Sequence, residues 1–363
     1  MMTGVELPKT MPAVVCHGPY DYRLEEVPVP EAELGEVVIQ VEVCGVCASD
    51  MKCYTGAPLF WGDEHRVPYV EGPVIAGHEF TGKVVQLGQG VTEKYGLQIN
   101  DTAIAEQIVP CWDCRYCQTG KYWLCKIHNI FGFQQVVNGG MAKYMKFPAR
   151  SIIHKVPDEI PPSHAAVIEP LSCSIHAVQR GEIEFGDVVV IAGAGTLGLG
   201  MVGAARLKNP GRLISVDLVD KRLQIAEKLG ADISLNPSKT DVVEQVLEMT
   251  DGYGCDVYIE ATGHPSAVEQ GLRMIRKAGT FVEFSVMREP VTVDWTIIGD
   301  TKELNIHGAH LGPHAYPLAI DYIHRGMIDV GQIVTHQLSL EKYVEAFEMV
   351  QKGTDSIKVQ LIP

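Results

Sequence analysis

Four cysteines, Cys111, Cys114, Cys117 and Cys125, crowd the stretch CWDCRYCQTGKYWLC with the spacing C-x2-C-x2-C-x7-C. Four thiolates offered by one short lobe can close a tetrahedron around Zn2+ and leave no open position, which makes a structural rather than a catalytic site. With 10 cysteines in 363 residues, so tight a cluster is not expected by chance. A [4Fe–4S] cluster also takes four cysteines, but the lobe lacks the proline that follows the last cysteine of the bacterial ferredoxin run, and its last spacing is longer. Disulfides rank third. The N-terminal MMTGVELPKT has no basic region followed by an apolar run, so a reducing cytoplasm is expected, where clustered cysteines bind metal more often than they pair.

A chain of this length is long for one core, so two domains are expected. The net charge of −15 argues against nucleic acid or an anionic membrane surface as partner. It leaves room for a phosphate-bearing cofactor held by local backbone N–H groups. With no apolar run of about 18 residues, no membrane span is expected.

The first part of the chain is β-rich: AVVCHG, EVVIQVEVCG and FTGKVVQLG are runs of β-branched residues divided by glycine and proline. After EIPPSHAAVIEPLSCSIHAVQRG, helical in pattern, come the apolar strands VVVIAGAG, LISVDL, CDVYIEATG and GTFVEFSV. Helical segments such as KRLQIAEKLGA and PSAVEQGLRMIRKAG lie between them. Apolar strands alternating with amphipathic helices predict βαβ units and a parallel sheet. The end of the chain carries helical pieces (YPLAIDYIHRG, LEKYVEAFEMVQKG) and a strand, IKVQLIP. The expected arrangement is an α/β protein: a β-rich domain of residues 1–160 and 301–363, and a doubly wound domain of 161–300 inserted in it. Two crossings would leave a cleft where ligands often sit.

The segment VVVIAGAGTLGLG contains G-x-G-x-x-G as Gly193, Gly195 and Gly198, between an apolar strand and an apolar helix. Gly193 permits the turn, Gly195 admits a pyrophosphate, and Gly198 lets helix and strand pack. Thr196 and Leu197 open the helix, at whose positive end the phosphate sits. Methyltransferases carry similar turns. Asp217, however, ends the next strand about 20 residues on, where a carboxylate accepts the ribose hydroxyls and repels a 2′-phosphate, favouring NAD over NADP. Arg222 is placed to meet the ribose or adenine edge, and Thr262, Ser285 and Val286 lie at later strand ends as further cofactor contacts.

A second set of metal donors is dispersed: CGVCASD with Cys47, AGHEF with His78 and Glu79, and IEPLSCSIH with Glu169. Three protein ligands and an open position mark a catalytic zinc. Each donor alone has an ordinary reading, as a core cysteine, a core histidine or a helix-capping glutamate. Together with the lobe and the glycine turn they fit one chemistry. An alcohol, with a pKa of about 16, loses its proton at neutral pH only if a cation stabilises the alkoxide, which then releases hydride to a nicotinamide.

On these motifs, in the order CGVCASD, GHE, four-cysteine lobe, EP, GAGTLG and VD, the chain resembles the zinc-dependent medium-chain alcohol dehydrogenases over nearly its whole length. The resemblance implies a GroES-like catalytic domain and a Rossmann domain. It also implies two zinc ions per chain, NAD, a cytoplasmic homotetramer and a small-molecule substrate. Cys47 and His78 match the family's catalytic zinc ligands, and Glu79 the adjacent glutamate, which binds zinc or supports it. Glu169 stands where many members have a cysteine. In EPLS it is similar to the sorbitol dehydrogenase branch, where the glutamate binds zinc directly or through water. Ser49 matches the residue that relays the substrate proton, and Asp50 the carboxylate behind the ligands. Cys111, Cys114, Cys117 and Cys125 match the structural-zinc lobe. Lys52 stands where many members end the relay in histidine, and His310 lies near the position of a sorbitol-branch arginine.

The expected function is oxidation of a secondary hydroxyl of a polyol to the ketose, and within the branch the similarity is greatest to bacterial tetritol enzymes acting on erythritol or threitol. An L-threonine or vicinal-diol (butanediol) dehydrogenase is the alternative enzyme, and an NAD-binding regulatory or structural relative the alternative class. Cys53, Tyr54 and Phe131 are candidate pocket residues, and TGAPLFWGDEHRV a candidate rim.

Overall fold

The computed structural model describes residues 3–287 and 289–363. AVVCHG lies in the strand Thr10–Gly18, EVVIQVEVCG in Val37–Val46 and FTGKVVQLG in Glu79–Leu87. Val37–Val46 is buried along most of its length and is central to the largest sheet. It pairs antiparallel with Glu79–Leu87, with Tyr144–Phe147 and with Lys358–Ile362. Glu79–Leu87 leads on through Thr102–Ala105 to Ile153–Val156, and Lys358–Ile362 pairs in parallel with Val334–Ser339. The last strand of the chain is thus hydrogen-bonded beside one of the first, with Gln360 level with Gly45 and Gly45 level with Glu79.

The α/β part forms a six-stranded sheet in the order Ile233–Leu235, Arg212–Val216, Val188–Ala192, Cys255–Glu260, Ile275–Glu283, Asn305–Gly308, and every pairing in it is parallel. Its first strand in sequence, Val188–Ala192, sits in the middle and the order reverses there, as in a doubly wound Rossmann sheet. One face is covered by a cluster of Val190, Ile214, Val246, Tyr258, Leu272 and Phe281, and the alternate residues Val189, Ile191, Leu213, Ile259 and Val282 are buried as well, which is why these strands read as apolar throughout.

The chain divides into two compact units. One comprises Met1–Glu169, Tyr316–Arg325 and Val334–Pro363; the other comprises Pro170–Ala315 and Gly326–Ile333. The divisions therefore differ from the expected residues 160 and 300. The sixth parallel strand, Asn305–Gly308, lies past residue 300 and is largely exposed, so it has no apolar run to reveal it. The segment PSAVEQGLRMIRKAG also differs from expectation: its helix, Pro265–Met274, stops early, and Ile275 is already extended. Lys302 Nζ donates to the carbonyls of Leu272 (2.7 Å), Arg273 (2.9 Å) and Ile275 (2.6 Å). A cation at a helix C-terminus satisfies orphan carbonyls and meets the negative end of the helix dipole. Lys302→Met is expected to lower stability by about 1–3 kcal/mol, the range for buried polar groups that lose their partners. Chemical denaturation of the two proteins measures it.

Candidate active site

The four lobe cysteines are brought together as the spacing predicts. Their sulfurs all lie within 4.8 Å of one another, with Cys111 and Cys117 at 3.9 Å and Cys114 and Cys117 at 3.5 Å. A regular tetrahedron with metal–sulfur bonds of about 2.3 Å has edges of about 3.8 Å, so the donors fit a zinc ion. They are far outside disulfide distance, which is about 2.05 Å. Backbone N–H groups point at the sulfurs: Cys114 N to Cys111 Sγ and Cys111 N to Cys125 Sγ, both 3.3 Å, and Lys126 N to Cys114 Sγ at 3.5 Å. Amides from Cys117 and Lys126 hold the Cys114 thiol down at about 6, so it is poised as the thiolate that a metal requires.

The second donor group forms where two strands of the large sheet end. Val37–Val46 delivers Cys47, the N-cap of the helix Ala48–Tyr54; His78 immediately precedes Glu79–Leu87. Donor atoms of Cys47, His78 and Glu79 lie within 4.8 Å of one another. Asp50 organises the first two: its Oδ2 accepts from Cys47 N at 2.8 Å, and its Oδ1 lies 3.4 Å from His78 Nδ1. A carboxylate behind one ring nitrogen orients the other toward a metal. His78 Nε2 lies 3.4 Å from Ser49 Oγ. Burial works to lower the His78 pKa, but the Asp50 carboxylate and Cys47 outweigh it and the net direction is upward.

Glu79 has a partner that no local motif announces. Lys358 Nζ donates to both carboxylate oxygens, at 2.8 and 2.6 Å, and to Val46 O at 3.2 Å. Both side chains are buried, Lys358 3% and Glu79 1% exposed. Burial would lower the Lys358 pKa, yet Glu79 dominates and raises it. Gly45 makes room, since a Cβ there would collide with the Glu79 carboxylate. Glu169 is buried in the first turn of Ile168–Arg180. It is not one of the three residues grouped within 4.8 Å, although its charge reaches Lys358. The formal charges of Asp50, Glu79 and Glu169 against Lys358 leave this buried cluster acidic, an environment that a divalent cation suits.

Three pocket expectations are corrected. Phe131 is fully buried, packed on Phe80 at 5.1 Å and on Phe147. Cys53 is 1% exposed. Tyr54 packs edge-on against Tyr20, Tyr22 and Phe347. The aromatic ring beside the donors is Phe133, 5.4 Å from the His78 ring and stacked at 5.2 Å on Phe60 of the expected rim segment. Only Gly132 separates Phe131 from Phe133, and spacing alone does not distinguish them. Lys52 is half-buried on the same helix as Ser49, and His310 is exposed beyond Asn305–Gly308.

In the parallel sheet, Gly193 has φ +100°, and a Cβ there would press on Ala261 O at 2.8 Å; one at Gly198 would overlap Gly193 O. A Cβ at Gly195 would meet nothing within 4 Å, so the start of the helix Thr196–Arg206 is open to an approaching group. Leu197 O accepts from Ser174 Oγ at 2.8 Å. Asp217 accepts from Ala194 N at 2.7 Å and Val219 N at 2.8 Å, with Arg222 at 3.9 Å. It holds the glycine turn as well as facing it. Thr262 donates to Glu260, Ser285 Oγ lies 3.5 Å from Glu260 O, and Val286 is exposed at the sheet's carboxyl edge.

Residues 33–158 match the alcohol dehydrogenase GroES-like domain, and residues 196–325 the zinc-binding dehydrogenase family. The chain is 50% identical over 358 residues, 99% of each chain, to the erythritol/L-threitol dehydrogenase of Mycolicibacterium smegmatis. It is 34% identical over 343 residues, 94% of this chain and 95% of the relative, to the L-threonine 3-dehydrogenase of Bacillus velezensis. The crystal structure of 2R,3R-butanediol dehydrogenase from Bacillus subtilis superposes with a TM-score of 0.85 at 29% identity, covering 97% of this chain and 99% of that one.

Lys358→Met is expected to leave the Glu79 carboxylate buried without its counter-ion and to cost about 3–5 kcal/mol, whereas adding Glu79→Gln should recover part of the loss. A double-mutant cycle by urea denaturation tests this; additive losses would show that the two side chains do not stabilise each other.

Proposed function

Since the chain belongs to the zinc-binding dehydrogenases with an alcohol dehydrogenase GroES-like domain, we propose that it oxidises a secondary hydroxyl of a four-carbon sugar alcohol, erythritol or threitol, to the ketose with NAD. The observation that carries the reading is the convergence of Cys47, His78 and Glu79 within 4.8 Å in a chain half identical, end to end, to a tetritol dehydrogenase. Cys47 and His78 would hold the catalytic zinc with Glu79 or Glu169, and the lobe cysteines a second, structural zinc. Zinc supplies Lewis acidity toward the substrate hydroxyl, and NAD accepts the hydride.

The protein's own groups do the rest. Ser49 Oγ, beside His78 Nε2, takes the hydroxyl proton as it gives up its own toward the nicotinamide ribose, and water or Lys52 receives it. Asp50 keeps the imidazole and the Cys47 backbone in place. Phe133 and Phe60 form an apolar wall beside His78, which limits how many further hydroxyl groups can be accommodated on that side. Asp217 favours NAD because its carboxylate repels a 2′-phosphate. The cytoplasmic location and a homotetramer belong to the same proposal, supported by the family resemblance.

Metal analysis is expected to find two zinc ions per chain, one lost in Cys47→Ser with the fold intact and turnover abolished, the other lost in Cys111→Ser together with thermal stability. Retention of both zinc ions in Cys47→Ser would remove that residue from the site. A panel of erythritol, both threitol enantiomers, larger polyols, 2,3-butanediol and L-threonine, followed by NADH absorbance, should show the highest kcat/KM with a tetritol. Turnover of L-threonine alone would overturn the substrate assignment. NAD should be preferred to NADP, and Asp217→Ala should narrow the preference; an unchanged ratio would refute the role of Asp217.

A further inference from the structure

Glu260 and Glu283 end neighbouring strands of the parallel sheet in register with each other, and Glu260 is also level with Ala192, the residue before Gly193. Neighbours in register lie on strands about 4.8 Å apart and point to the same face, so the buried Glu260 and the half-buried Glu283 stand side by side at the carboxyl edge. Glu260 is fully buried and accepts from Thr262 N at 2.7 Å, Gly263 N at 3.1 Å and Thr262 Oγ1. Three donors suit a carboxylate. Glu283 is different. Its Oε1 is shielded from solvent and has no hydrogen-bond partner. A carboxylate oxygen in that state is costly, and a carboxylic acid is not. Burial first, then the Glu260 charge, outweigh a hydrogen bond from the Ser285 amide and push the Glu283 acid up to about 8.

The loops that follow these strands are packed on one another and on the glycine turn. A Cβ at Gly193 would lie 3.2 Å from Thr262 Cγ2, and one at Gly263 would lie 2.9 Å from Val286 O. We propose that Glu260 and Glu283 form a one-proton carboxyl pair that positions the loops Thr262–Gly263 and Ser285–Val286, so that dinucleotide binding depends on the proton held by Glu283. The inference rests on the reading of these loops as cofactor-binding. Glu283 is a positioning residue, acting through the loops.

Other groups near this face do not take over the titration. Tyr258, two residues before Glu260, is held neutral by burial, and its hydroxyl donates to Ala267 O. On the helix packed against the face, His264 is engaged with Ser266 at the exposed cap, and Glu269 and Arg273 are exposed. Asp294 caps Trp295–Ile297, and Gly308, level with Glu283 on the outer strand, brings no charge. The sign follows. With its acid raised above the ordinary carboxyl value, Glu283 keeps its proton in the native state at neutral pH and loses it as pH rises through about 8. A second negative charge then appears beside Glu260, and the loops loosen.

The test is the Kd of the zinc-loaded enzyme for NADH, by fluorescence, from pH 6.5 to 9.5. Wild-type Kd should rise above about pH 8 with a slope approaching tenfold per pH unit, the limit for one linked proton. Glu283→Gln, neutral throughout, should keep the low-pH affinity and lose that slope. A purely structural role would shift Kd equally at every pH. Equal slopes in wild type and Glu283→Gln would overturn the proposal, whereas failure of wild type to bind NADH at any pH would instead sink the cofactor-site reading. Should Glu283→Gln fail to fold, Glu283→Met is read in the same way. Proton uptake on NADH binding to wild type at pH 8.5, followed with an indicator dye in weak buffer, gives a second measure; no uptake would equally overturn the pair.

Discussion

The ammonium of Lys358 lies against the carboxylate of Glu79, both out of contact with water. Two opposite charges in such a place are tolerable only as a pair, because either alone would face the full cost of leaving water. Their positions come from the sheet: Glu79 begins one strand next to Val37–Val46, and Lys358 begins another on its other side. The C-terminal strand therefore has to dock in one register for the charges to meet, and Gly45 between them has to lack a side chain. The same arrangement brings Glu79 within reach of Cys47 and His78. The charge balance of the donor group and the closure of the sheet are one requirement.

The parallel sheet solves a different problem with the same economy. Its middle strand ends in the glycine turn, and the neighbouring strands end in Asp217 and Glu260, whose carboxylates accept backbone N–H groups of the adjoining loops. Polar groups at strand ends are thus satisfied by the loops that must be held still. The cysteine lobe works without a sheet: amides directed at sulfur and four thiols at tetrahedral distances hold a segment that has little regular structure.

The features that could be read in the chain are those whose physics is local. The lobe cysteines meet because a few residues separate them, and Gly193 and Gly198 are demanded by backbone contacts within one strand–turn–helix unit. Cys47 with Asp50, and His78 with Glu79, were legible as short motifs, and so was Asp217. Missed were Lys358, far from Glu79 in the chain, and Lys302, whose contacts end a helix that periodicity would have carried further. The choice of Phe133 over Phe131 escaped for a related reason: both are aromatic, and only the packing of Phe80 and Phe147 around one of them assigns it to the core.

By itself the sequence determined the two kinds of element, β-rich and βαβ, the order of the metal-donor and dinucleotide motifs, and through them the family. Those properties depend on residue type and short spacing. Only the tertiary structure decided which carboxylate is balanced by Lys358, which aromatic ring stands beside His78, and that Glu260 and Glu283 stand side by side at the sheet's carboxyl edge. Those outcomes depend on strand register and on burial, which are set by pairings between residues distant in the chain, and no local pattern encodes them.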